Sequence, residues 1–273
     1  MTATTVRRRA ARALGAVTGV IALTAHAAAP ASAAPALPVR DTLPAGLTFE
    51  DCPALPAGAD PTWWNCNVAV IAGGRLQIGK IDQTIDKALR LTYAIGYDPA
   101  TLEQKMIAVP LKGDPIRVTG GILGVPGTDV LPIMQVHAKP ELAADPEFNV
   151  DANTLLRLKL KVGVQNSLVG DQCTIGTKDD PVTLNLTIGT TSPPPPNQPI
   201  SGSPPVDVST DPLVFKLKLV DNAFAVPKSS SCGPGGLLNG IVDWRAGLPA
   251  KAGTNTVIFD QYLASKAYTD LPA

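Results

Sequence analysis

Histidine is nearly missing from this chain: 273 residues hold two, His26 and His137. A Ser-His-Asp hydrolase would have to take one of them as its base. No Ser stands in a G-x-S-x-G setting, so a hydrolase of the nucleophile-elbow type is not expected. The patterns G-x-G-x-x-G, G-x-x-x-x-G-K-[ST], H-E-x-x-H and C-x-x-C are also missing. That removes the dinucleotide, P-loop, zincin and thioredoxin readings, and no cofactor is expected. Aromatic residues make up 4 % of the chain, so the stacking platforms of a sugar cleft are scarce. Basic and acidic residues balance at 23 each, which argues against nucleic acid as a partner. No apolar run reaches the roughly 20 residues that a spanning helix needs.

What is present begins with an export pattern. Arg7, Arg8, Arg9 and Arg12 form a positive region without acids, Ala13 to Ala25 is apolar, and Ala31-Ser32-Ala33 supplies small residues before Ala34. These are the three parts of a cleavable signal over residues 1–33. The residues flanking the Arg pair add nothing to a twin-arginine reading, so general secretion is expected. With the four Arg removed, 19 basic residues face 23 acidic ones, a net of about −4. No membrane span is expected after cleavage, and the protein is expected outside the cell or against its wall.

Four Cys, at 52, 66, 173 and 232, lie in the exported part. An even count in an exported chain predicts disulfides rather than a metal site. Of the three connectivities, pairing within each half gives Cys52–Cys66 and Cys173–Cys232.

Residues 34–48, rich in Ala, Pro and Leu, read as an extended tail, followed by an all-β region over 49–273. Cys66–Ile71 and Arg75–Gly79 around Gly73-Gly74 read as a hairpin. Leu89, Leu91 and Tyr93 share one face of a strand, and further strand candidates are 104–109, 115–119 and 130–138. The clearest alternation puts Leu156, Leu158, Leu160, Val162 and Val164 inward, with Arg157, Lys159 and Lys161 outward. Segments 182–188, 215–219 and 256–262 repeat the pattern. Leu237–Ala246 reads as a short helix ended by Gly247 and Pro249. The seven prolines of 189–205 predict an exposed polyproline-like loop. Residues 139–153 are the best sub-domain boundary. The sum is an antiparallel β-sandwich or flattened barrel with at most one short helix.

Gly170-Asp171-Gln172-Cys173-Thr174-Ile175-Gly176, Thr187 to Pro194, Leu219 to Pro227, Cys232-Gly233 and Gly247 to Gly253 resemble a group of uncharacterised secreted actinobacterial proteins. The resemblance spans residues 166–262. It implies export and the Cys173–Cys232 pairing, and it carries over no catalytic role.

Candidate site residues are few. His137, in one strand with Gln135 and Ile133, is the only imidazole left after cleavage. Trp63 and Trp64 precede Cys66; one ring is expected over the disulfide and the other partly exposed, and the alternative is a small recognition patch. Trp244 reads as core. Asp171, Asp179 and Asp180 read as solvated turn acids. Lys159 and Lys216, with Arg157, Lys161 and Lys218, would form a basic stripe for anionic wall polymers if their strands were neighbours. The inward Leu and Val residues could line a pocket for an apolar molecule. The expected function is non-enzymatic binding in the cell envelope; an extracellular hydrolase with dispersed residues and a structural surface protein are the alternatives.

Overall fold

The computed structural model describes residues 43–272. The signal segment and the first part of the tail lie outside the described residues. In chain order the strands are β1 (Trp64–Ile78), β2 (Ile81–Thr84), β3 (Leu89–Tyr97), β4 (Gln104–Ala108), β5 (Lys112–Gly113), β6 (Ile116–Arg117), β7 (His137–Leu142) and β8 (Glu147–Asp151). They continue as β9 (Thr154–Gln165), β10 (Thr174–Ile175), β11 (Val182–Leu186), β12 (Ser203–Thr210), β13 (Leu213–Asp221), β14 (Ser229–Ser230) and β15 (Thr256–Ala267). One α-helix, α1 (Asn239–Ala246), lies between β14 and β15.

The strands build two antiparallel sheets packed face to face, the sandwich that the alternation predicts. The larger runs β12-β13-β15-β1-β3-β4, with β2 on β1 and β5 on β3. The smaller runs β14-β10-β9-β7-β6, with β8 and β11 also on β9. β9 follows the expected face assignment: Leu156, Leu158, Leu160, Val162 and Val164 are buried. They meet Ala69, Ile71, Leu91, Leu219, Val257 and Phe259 of the other sheet in one apolar core. Residues 139–153, read above as a sub-domain boundary, carry β7 and β8, and both strands pair with β9.

The Gly73-Gly74 hairpin expectation is corrected. β1 runs straight through these glycines, and the turn comes at Gly79-Lys80, where Ile78 pairs with Ile81. At the glycines the register against β15 slips by one residue, from Ile71 opposite Gln261 to Gly73 opposite Asp260. The extra residue is a β-bulge, and it changes which parity points inward. Without it, Ile71 would be followed inward by Gly73, Arg75 and Gln77. With it, Leu76 and Ile78 reach the core and Arg75 turns out to pair with Asp82. Gly74 has φ +129°, and a Cβ there would sit 1.9 Å from the Ile258 carbonyl oxygen.

Other strand expectations shift at their ends. Of the 130–138 candidate only His137 and Ala138 are strand; the 3-10 turns Thr128–Val130 and Pro132–Met134 precede them, and Pro132 cannot donate to a ladder. The 189–205 loop is shorter than expected: Pro204 and Pro205 lie in β12, the edge strand, where a missing donor costs no ladder bond. The loop itself is docked, with Asn197 Nδ2 donating to the carbonyls of Asn222 and Asn255, 2.8 Å each.

The chain forms both expected disulfides. Cys52–Cys66 and Cys173–Cys232 have Cα atoms 5.8 and 4.1 Å apart, and no described cysteine is free. Cys52–Cys66 pins residues 43–52 against the outer face of the larger sheet. There Leu43, Leu47 and Phe49 cover Val68, Val70, Val214 and Ala264. Asp51, in ion pairs with Arg90 and Lys112, ties the segment down further. The end of the tail is thus a packed strap.

Gly74→Val should lower the unfolding free energy by about 1–3 kcal/mol, from the forced φ and the clash with β15. Urea denaturation measures this; an unchanged midpoint would show that the bulge is dispensable.

Candidate functional site

Two apolar cavities lie between the sheets. One, of about 70 Å³, is lined by inward residues of β1, β3, β9, β11 and β15. The other, of about 110 Å³, is lined by β1, β2, β9, the 118–122 loop and α1. The cavities abut, sharing Leu76, Ile78, Ile85, Ile116, Ala138 and Val162 as lining. β9 contributes Leu156 to Val162 on the first and Val162 and Val164 on the second. Together they follow roughly 26 Å of strand at about 3.3 Å per residue. Two small cavities end to end over that length make a narrow, interrupted tube.

The second cavity lies against α1. Leu238, Val242 and Ala246, four residues apart, pack α1 onto the core. Trp244 falls on the opposite face and is 72 % exposed, which corrects the expectation of a core residue. Lys80 Nζ stands 5.4 Å over its ring. Gly247, in the left-handed conformation, ends the helix as expected, and the Leu248 N–H donates to the Asp243 carbonyl. Ile241 lines the second cavity and is half exposed, so it marks the mouth. Arg245 closes the seam: its Nε donates to the Gly121 carbonyl at 3.2 Å. Burial lowers the Arg245 pKa from its ordinary value. The Cys173–Cys232 bridge holds the approach to α1, and Asn239 Oδ1 accepts from the Cys232 N–H at 2.8 Å.

The residues singled out from sequence scatter. Trp64 is buried, its ring against Gly96, where a Cβ would come within 2.1 Å of it. Trp63 is exposed beside it in sequence. His137 opens β7, and Ile133 and Gln135 precede it in a turn rather than a strand. The four residues His137, Ile133, Ser167 and Asp171 line one shallow surface depression, and no hydrogen bond joins His137, Ser167 and Asp171. Asp180 lies in a turn closed by Thr177, away from this depression. The basic stripe does not assemble, because β9 and β13 belong to different sheets. On β9, Arg157 and Lys159 pair with Glu147, and Lys161 pairs with Glu141. On β13, Lys216 stands 5.5 Å over the Tyr262 ring and Lys218 pairs with Asp260. Glu147 is held below the usual carboxylate range by its hydrogen bond from Lys159 and then by Arg157.

Sequence reading missed the mouth. Alternation identified the inward Leu and Val residues, whereas the 118–122 loop and α1 carry no periodic signal. One signal was available: in Val257, Phe259, Gln261, the third inward position of β15 is polar.

Comparison of the chain with protein-family models, with curated proteins and with solved structures found no match to any of them. Among the described residues no helix is long and apolar enough to cross a membrane.

Replacing Cys173 and Cys232 together by Ser should cost about 4 kcal/mol, on the entropy of a 59-residue loop. Hydrogen exchange should rise first in α1; protection lost evenly over both sheets would contradict the bridge's local role.

Proposed function

We propose that this is an exported binding protein for an apolar small molecule, held in the tube between its two sheets. The observation that carries the reading is the cavity pair. Their lining is almost wholly Leu, Ile, Val, Ala and Phe, in a fold whose sheets otherwise pack closely. A cavity of roughly 150 Å³ lined by such residues stays dry and takes up benzene, because water finds no polar partners there. The guest is therefore small or thin. Burying it removes apolar area from water at about 25 cal/mol per Å².

Export is part of the proposal. It rests on the signal pattern of residues 1–33, on the resemblance to secreted actinobacterial proteins, and on two disulfides, which persist outside the cytosol. A wall component with an apolar chain belongs to the same reading.

Catalysis is the weaker reading. His137, Ser167 and Asp171 share a depression without the hydrogen bonds that a relay requires.

Native mass spectrometry of the protein from its own secretion medium should show an apolar adduct that organic extraction removes. Ala138 lines both cavities, so Ala138→Leu should fill the tube, abolish the adduct and leave the melting temperature equal or higher. His137→Ala should leave the adduct unchanged. A clean apo mass under all conditions, with no uptake of added alkyl compounds, would overturn the proposal.

A further inference from the structure

Gln261 stands in the middle of β15, paired across the sheet with Ile71 of β1 and Leu217 of β13. Its side chain is on the inner face with Val257 and Phe259, and the residue is 94 % buried. It is the one residue lining the first cavity whose side chain is polar. Among the described residues its amide makes no hydrogen bond, and Gln261 is part of the wall of this apolar cavity. A buried amide without a partner forgoes the hydrogen bonds it makes to water in the unfolded chain. The cavity has room for water, but a held water needs two to four polar partners and this wall offers one side chain. An apolar residue of similar shape would pack there without that penalty.

We infer that Gln261 is the specificity-determining residue of the tube: the guest is an apolar molecule with one hydrogen-bonding oxygen, hydroxyl or carbonyl, which meets the Gln261 amide. The inference rests on the proposed binding of apolar molecules between the sheets. Gln261 lines the first cavity and not the second, whereas Ile241 and Arg245 at the mouth line only the second. The guest therefore enters at α1 and carries its oxygen inward, with the apolar part trailing toward the mouth. An amide both donates and accepts, so alcohols and ketones are both served. An apolar site with one buried polar partner rejects the guest that lacks the matching group more strongly than its size alone would explain.

The test compares molecules of one skeleton: n-butylbenzene, 4-phenylbutan-1-ol and 4-phenylbutan-2-one. Dissociation constants are measured for the wild type and for Gln261→Met. The change in water solubility between the compounds cancels when the alcohol-to-hydrocarbon affinity ratio is compared between the two proteins. That ratio should fall about ten-fold in Gln261→Met, and the unliganded variant should melt at a higher temperature. A second readout needs no variant. The Gln261 side-chain NH₂ resonances should shift when 4-phenylbutan-1-ol or 4-phenylbutan-2-one is added to the wild type and should not when n-butylbenzene is added. If all three compounds bind and the ratio is the same in both proteins, with the Gln261 amide unmoved, the inference fails and the cavity reading stands. If none of the three binds the wild type, the cavity reading itself fails.

Discussion

The structure depends on one constraint: β1 must turn apolar side chains inward both before and after its midpoint, and its sequence changes parity there. Trp64 to Ile71 places odd-numbered residues inward, and Leu76 and Ile78 place even ones there. A regular strand cannot do both, because a one-residue slip turns every side chain to the other face. The bulge at Gly73-Gly74 absorbs the extra residue, and only glycine accepts the φ of +129° so close to the Ile258 carbonyl. β15 and β3 pair with β1 on either side. Leu89, Leu91 and Gln261 point inward beside Ala69 and Ile71 before the bulge, and the bulge lets Leu76 point inward beside Val257 after it. The tube exists because those faces are aligned opposite β9.

The second consequence concerns the outer face. Val68 and Val70 alternate outward from the core and are nonetheless completely buried. The strap of residues 43–52, closed by Cys52–Cys66 and Asp51, covers them. β1 is thus buried on both faces, which fits its near-continuous apolar run and explains why it tolerates a distortion in mid-strand. The two disulfides divide the work: one fastens the strap over the larger sheet, the other fastens the α1 end of the tube.

The sequence made the sandwich legible where alternation was strict. β9, β11 and β13 sit where Leu156–Val164, Val182–Leu186 and Phe215–Leu219 placed them, and α1 was readable from Gly247 and Pro249. The bulge was not readable, because Gly-Gly between two apolar runs is also the mark of a hairpin; the decisive fact is the position of Ile258 on a strand about 180 residues away. Trp244 was misplaced because an eight-residue helix buries a single stripe, and its phase came from Leu238, Val242 and Ala246. The basic stripe depended on strand adjacency, a long-range property that local pattern does not encode. For the site, the inward apolar residues were legible and the mouth was not. Gln261 was visible as a polar break in an apolar face, and its meaning required the cavity beside it.

The central claim is that the space between the sheets receives an apolar guest. A methyl NMR titration of the wild type with 4-phenylbutan-1-ol tests it most directly. Methyl groups of Ile85, Ile116 and Val162, which line both cavities, should shift and saturate together. Those of Val68 and Val214, beneath the strap on the outer face, should stay in place. Shifts confined to exposed methyls such as Leu237, or no saturable shift at the inner ones, would contradict the account.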